Sequence, residues 1–592
     1  MVDGRLARTL DTDWVRLSLI AWAGIAVYFV AQRWTGIHFL QLGDTDDNMR
    51  LMQVRAWLGG QGWYDLRQYR LNPPVGFDMH WSRLVDLPIA GLILALRPFV
   101  GAREAEMLAC GIAPLLPLSI TFLGIGVTVR RLVSVYAWPL AIVLLLCCSA
   151  TLLMYMPERI DHHGWQLAML SLAVAGLSDP KGARGGAIVG VASSVSLTIG
   201  LEMLPYAALA GSILTLRWIW DRREAPRLAI YALCLGAGSG IGYALFASYA
   251  DAVLRCDALT PVWLSVMVMA GALLFALGWA NPDNRWVRLG LALAAGAVIV
   301  IGFALVFPQC LGRPEQASPE LQKNWLNMIR EAKPIYSHPF RVAFPVAVMP
   351  IVGVIGAALA TWRARGTALG GAWATVLLFV TGAALLLLWQ ARAGPAAQML
   401  AVPGAVALGW LLIPRLQANR SALIRVFGTV AAILVIGSGL FAGLALRYLP
   451  IDRPSKRIQI VDRASGLCPT MTALRPLDRY PAQTVFSFVD LGPRIITITH
   501  HDAVAGPYHR NGDAILDVQH AFSGSAENFR AIARRHGATL LLVCPNMAES
   551  TIYRARAPGG FYDQLAHRKR FDWLEELPLP AKSPLRLWRI HP

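Results

Sequence analysis

Two short stretches hold most of the reactive side chains in this chain. Residues 157–166 read PERIDHHGWQ, and residues 43–50 read GDTDDNMR. Asp44, Asp46 and Asp47 lie within four residues of one another, and like charges so close call for a divalent cation or a cationic partner, or else for full solvation. Asp161 and His163 point one way if a helix begins near them. Carboxylate oxygens with one imidazole and no thiolate suit Mn²⁺ or Mg²⁺ better than a closed structural zinc site. The metal ligands expected on this basis are Asp44, Asp161 and His163. Asp47, Glu158 and His162 are expected to support them. Acidic side chains at a helix start also serve as caps and are favoured by the helix dipole, so Asp161 is able to do both.

Other polar residues stand out against apolar surroundings. Arg392, in WQARAGPAAQ, sits where a membrane helix meets the outside, and its guanidinium suits a lipid-linked phosphate; snorkelling to head groups is the plainer alternative. Glu331, in NWLNMIREAKP, is the acidic residue of its loop nearest to the membrane along the chain, so it is able to fold over a site at the mouth. Glu202, in TIGLEMLPY, is an ionisable group at the membrane boundary, where such groups are functional or paired. No partner for it is legible. Asp490, His509 and Arg510, in the C-terminal part, are candidates for contact with an acceptor. No G-x-S-x-G, phosphate-binding P-loop or H-E-x-x-H occurs, which argues against a serine hydrolase, an NTPase or a zincin.

Membrane spans must position these groups. Of 592 residues 56% are hydrophobic and 15% charged, and mean hydropathy is +0.48. Uncharged windows of about 20 residues recur, each long enough to cross a hydrocarbon core. The net charge of +18 comes largely from Arg and Lys in short turns between them, as the positive-inside rule requires. A nucleic-acid partner is not expected. Arg5, Arg8 and Arg16 precede a retained first span, and Arg130/Arg131, Lys181/Arg184, Arg217/Arg222/Arg223, Arg363/Arg365 and Arg415/Arg420/Arg425 mark later inner turns. The resulting expectation is a polytopic α-helical membrane protein of about 13 spans, N-terminus inside and C-terminus outside. Its membrane part covers residues 1–446, with external loops 36–86 and 308–341, and an external α/β domain covers 447–592. In that domain TVFSFVD, RIITITH and ATLLLVCP read as strands and SAENFRAIARRHG as a helix. Four of the eight cysteines fall outside the membrane, an even set that pairs as Cys256–Cys310 and Cys468–Cys544 in an oxidising compartment.

With these residues in view, the chain resembles the GT-C membrane glycosyltransferases, and among them the catalytic subunit of oligosaccharyltransferase. Asp44 followed by Arg50 is similar to that family's first-loop metal aspartate with its trailing arginine. Asp161–His162–His163 is similar to its archaeal second metal motif, Glu331 to its mobile fifth-loop glutamate, and Arg392, joined by Arg50, to its donor-phosphate contacts. The family's tail signature carries two tryptophans before Asp-Tyr-Gly; here the chain reads SFVDLGP, keeping Asp490 and Gly492. The resemblance implies inverting transfer of a sugar or oligosaccharide from a polyprenyl-phosphate or polyprenyl-diphosphate carrier to a glycan, lipid or protein. The implied place is the periplasmic face of a bacterial inner membrane, with Asp44 or Asp46 orienting or deprotonating the acceptor. The rival expectation is a transporter or lipid flippase coupled through carboxylates at the membrane mouth, although no repeated halves are visible.

Overall fold

Long runs of Leu, Val, Ile and Ala become helices because a backbone in hydrocarbon must satisfy its own hydrogen bonds. The computed structural model describes residues 4–451 and 454–591. Among these, eight helices are long and apolar enough to cross a membrane, and a ninth span results if Ile424–Ile436 and Ser438–Tyr448, bent by 99°, are counted together. The chain is a multi-pass membrane protein with a C-terminal α/β domain. The other apolar segments fold as shorter or interrupted helices: Trp138–Leu146 with Ser149–Leu153, His163–Leu177, Leu204–Trp220 and Gly370–Leu386. A window average does not register such breaks.

Small residues allow the tightest helix contacts. Gly353 and Gly356 of the Phe340–Arg363 helix lie directly against Ala401 and Gly404 of the Gly394–Gln417 helix, so a Cβ at Gly356 would enter the backbone of Gly404. At the expected inner turns the basic residues are tied into shared ion pairs. Arg131 and Arg184 both meet Asp179, and Arg217 and Arg227 both meet Glu224.

The C-terminal domain holds a five-stranded sheet, in spatial order Asp502–Ala503, Thr484–Phe486, Ala538–Val543, Arg586–Ile590, Leu574–Leu577. The first three strands are parallel and the last two join antiparallel. RIITITH, read as a strand from its β-branched residues, is instead part of the Gly492–Ile498 helix. Pro493 opens that helix, Thr497 and Thr499 bond back to carbonyls four residues earlier, and Arg494 reaches across to Leu40 O and Asn48. Tertiary contact outweighs intrinsic β-preference here.

The first external loop does not stand apart from this domain. Met49, Met52, Leu66, Leu71, Phe77 and Trp81 share one apolar core with its sheet and helices. Arg70 of the loop is bound by Asp502 and by the carbonyls of Ile496, Thr499 and His501. The second external loop bridges both parts: Leu321 enters the tail core, while Ile335 enters the membrane core. Cys256 is bonded to Cys310 and Cys468 to Cys544, so one disulfide ties the second loop to the end of a neighbouring helix and the other lies within the tail domain.

Candidate functional site

The acidic stretch at residues 44–47 starts the Thr45–Leu58 helix. Asp44 caps it, accepting from the N–H groups of Asp46 at 2.9 Å and Asp47 at 3.2 Å, while Asp47 Oδ2 accepts from the Asp44 N–H at 3.0 Å. This reciprocal capping box fixes both carboxylates. Asp47 Oδ1 also accepts from the Asp161 N–H at 2.9 Å, which joins the first loop to PERIDHH. Oxygens of Asp44, Asp47 and Asp161 lie within 4.8 Å of one another.

A cation already sits in their midst. The Arg159 guanidinium bonds Asp44, meets Asp47 Oδ2 at 3.2 Å and meets Asp161 Oδ2 at 2.8 Å. Sequence reasoning passed over Arg159, although it was the lone positive charge within an acidic motif. Burial, then Asp44 and Asp161, pushes the Asp46 carboxyl up to about 8. Burial, then Asp44, raises Asp47 as well. Asp161 goes the other way. Burial opposes its charge, but His163 and Arg159 beside it hold it well below the usual carboxylate range.

His163 opens the His163–Leu177 helix. Its N–H donates to Asp161 Oδ1 at 3.0 Å and its Nδ1 meets Asp161 Oδ2 at 3.0 Å, leaving Nε2 as the nitrogen for a ligand. His162 stacks on it at 4.5 Å, packs on Trp81 and meets Glu202 Oε1 through Nε2 at 3.2 Å. Glu202 also accepts from Gln166 at 2.8 Å, so the residue without a legible partner has two. Glu158 is buried behind the cluster at a positive φ of 74°. Burial pushes its carboxyl up to about 7.

Asp44, Asp46, Arg159 and His163 line a cavity of about 2070 Å³ between the membrane helices, the second external loop and the tail domain. Glu331 and Arg392 line it too. The Arg392 N–H donates to the Glu331 carbonyl at 3.0 Å, and their side chains approach to 3.9 Å. A small cleft continues from His163, Glu202 and Arg392 between Leu167, Met203, Tyr206, Leu386 and Trp389.

Three expected site residues lie elsewhere or face another way. Arg50, 1% exposed, is committed to Asp86 at 2.8 Å and to the Ser82 carbonyl, and it lies over Trp81. It does not line the cavity, because the buried carboxylate of Asp86 claims its charge. His509 and Arg510 also stay out: both bind Asp257, and Arg510 also binds Asp251, which anchors the tail domain on the loop after the Ala225–Phe246 helix. Asp490 does line the cavity, beside Glu549. A second group of possible ligands, Asp478, His500 and His501, is a structural one: His501 uses both ring nitrogens on the backbone of Gln483 and Leu477.

Asp44, Asp47 and Asp161 offer the oxygen donors a hard divalent cation takes, and they already converge on the positive charge of Arg159. His163 is not one of that group: its Nδ1 holds Asp161 and its Nε2 faces away from Asp161.

No family model and no curated protein sequence matches the chain. Solved structures do match it. The archaeal oligosaccharyltransferase AglB from Archaeoglobus fulgidus, in complex with an inhibitory peptide and a dolichol-phosphate, aligns with a TM-score of 0.66 at 14% identity, over 95% of this chain and 72% of that one. The same oligosaccharyltransferase tethered to an acceptor peptide containing the NVT sequon gives 0.66 and 14%, over 97% and 74%. Its complex with zinc and sulfate gives 0.60 and 14%, over 94% and 71%. The chain therefore shares the fold of this oligosaccharyltransferase.

Proposed function

We propose that this protein is an inverting glycosyltransferase that moves a sugar or oligosaccharide from a polyprenyl-phosphate or polyprenyl-diphosphate carrier to an acceptor. The observation that carries this reading is a carboxylate cluster standing where a small cleft between apolar helix residues opens into a large cavity lined by charged as well as apolar side chains. A carrier of this kind needs both environments, one for its isoprenoid chain and one for its phosphate and sugar. The dolichol-phosphate in the AglB complex is a lipid of that class. A transporter is not favoured, since the acidic groups gather at one mouth on a GT-C scaffold.

Asp44, Asp47 and Asp161 would hold Mn²⁺ or Mg²⁺, which supplies charge neutralisation at the departing phosphate. Arg392 binds the phosphate at the cleft head, and Glu331, on the same loop edge, closes over the bound donor. Asp46, which lines the cavity beside Asp44, orients the acceptor and takes the proton from its hydroxyl or amide. The acceptor atom bonds the anomeric carbon as the carbon–oxygen bond to phosphate breaks, and the phosphate leaves with that electron pair. One displacement inverts the configuration. The expected setting is the periplasmic face of a bacterial inner membrane, and the two disulfides support an oxidising exterior.

The test compares external glycans and lipid-linked sugars in cells with and without the active protein. Loss of one sugar from the glycans, with its lipid-linked donor accumulating, is the expected outcome. Unchanged glycans with altered solute uptake would overturn the reading in favour of transport.

A further inference from the structure

Each of the three carboxylates at the mouth gives one oxygen to the backbone. Asp44 Oδ1 accepts from the Asp46 and Asp47 N–H groups, Asp47 Oδ1 from the Asp161 N–H, and Asp161 Oδ1 from the His163 N–H. The second oxygens all converge on Arg159. Its Nη1 bonds Asp44 Oδ2 and meets Asp47 Oδ2 at 3.2 Å, and its Nη2 meets Asp161 Oδ2 at 2.8 Å. The side chains of Asp47 and Asp161 are fully buried, so solvent screens little of this attraction. The oxygens open to a divalent cation are therefore the ones the guanidinium already holds. Two cations cannot share them, because like charges that close repel strongly in a poorly screened site.

The head of Arg159 is free to leave without disturbing the chain. Its backbone is pinned separately, the Arg159 N–H donating to the Met156 carbonyl at 3.0 Å. Along the side chain the buried Nε has no hydrogen-bond partner, so the carboxylates are what hold the guanidinium. The side chain also lines the cavity of about 2070 Å³, which gives a released head room to turn.

Resting on the metal-assisted reading of this site, we propose that Arg159 is the cluster's own cation, and that Arg159 and a divalent ion take the three oxygens in turn. Arg159 then sets the affinity for the ion, and it keeps the first loop joined to PERIDHH when no ion is bound. A monovalent ion brings no more charge than the guanidinium and none of its directed hydrogen bonds, so the exchange selects divalent ions. Each exchange moves the guanidinium between the cluster and the cavity.

The test uses the purified full-length protein with Mn²⁺ as the probe. Free Mn²⁺ is read by electron paramagnetic resonance, and thermal unfolding is followed in parallel. Wild type should bind one Mn²⁺, and Arg159→Gln should bind it at least tenfold more tightly, a change that one charged hydrogen bond suffices to produce. Chelator should leave the wild-type unfolding midpoint unchanged but lower that of Arg159→Gln, and Mn²⁺ should restore it. Arg159→Lys keeps the charge but not the fork that spans the carboxylates, and its affinity should fall between the two. If Arg159→Gln does not fold, Arg159→Lys decides: tighter binding than wild type upholds the exchange, and equal binding overturns it. Equal Mn²⁺ affinity in wild type and Arg159→Gln overturns the proposal and leaves the metal reading standing. Weaker binding by Arg159→Gln also overturns it, since Arg159 is then only a strut of the site. Binding by the variant alone upholds the competition and removes the metal from the wild-type reaction. If no form binds Mn²⁺, the proposal and the metal reading both fall, while sugar transfer itself is judged by its product.

Discussion

Replacing Asp257 by alanine should loosen the tail domain from the membrane part, by an amount that follows from its contacts. Asp257 accepts from His509 Nε2 at 2.6 Å, Arg510 Nε at 2.7 Å and Arg510 Nη2 at 2.8 Å. Arg510 is 4% exposed, so solvent screens little of this. Removing one partner of a buried ion pair costs about 3–5 kcal/mol. Asp251 still meets Arg510 Nη2 at 2.7 Å, which favours the lower end, about 3 kcal/mol. For a unit of this size that lowers the unfolding midpoint by roughly 6–12 °C. Burial opposes the Asp257 charge, but hydrogen bonds from Arg510 and His509 hold its pKa well below the usual range. A depressed carboxylate contributes above its unfolded pKa of about 3.9, and the contribution is lost as pH falls through the folded value. The gap between wild type and Asp257→Ala should therefore stay constant from neutral pH to about pH 5 and shrink only in stronger acid. Thermal unfolding in nanodiscs measures it, with proteolysis of the connection after residue 448 as a second readout. An unchanged midpoint, or full additivity of Asp257→Ala with Arg510→Ala, would refute the clamp.

Other expectations are direct. Arg392→Ala should raise KM for the lipid-linked donor about tenfold or more by removing a charged phosphate contact, with Arg392→Lys recovering part of it; a donor titration decides. Breaking Cys468–Cys544 by serine substitution opens a loop of 76 residues and should cost about 4 kcal/mol by chain entropy, seen as a lower unfolding midpoint. Asp47→Ala removes the acceptor for the Asp161 and Asp44 N–H groups and should cost about 2–4 kcal/mol in stability. It should also reduce turnover, because Asp161 loses its orientation.

The outline was legible because its causes are local. Uncharged windows and basic turns mark a multi-pass chain, and the two acidic stretches at residues 44–47 and 158–163 mark the mouth of the cavity. What sequence could not show depends on long-range contact. Arg50 looked available until the fold placed it against Asp86, 36 residues away. His509 and Arg510 looked like ligand contacts, yet Asp251 and Asp257 hold them from a distant loop. RIITITH has the composition of a strand, but Arg494 and Thr497 gain more from Leu40 and Asn48 as part of a helix. Glu549 carries no motif at all; only the folded tail brings it beside Asp490 and the cavity.

The central claim is that the carboxylate cluster at the mouth transfers sugar from a lipid carrier. Proteoliposomes holding the full chain, a polyprenyl-phosphate-linked sugar, Mn²⁺ and an oligosaccharide acceptor test it most directly. Wild type should form the glycosylated product with inverted anomeric configuration. Asp161→Ala and Asp44→Ala, assayed as folded protein below their lowered unfolding midpoints, should form none, and excess chelator should stop the wild-type reaction. Full product from both variants, or full activity in chelator, would contradict the account.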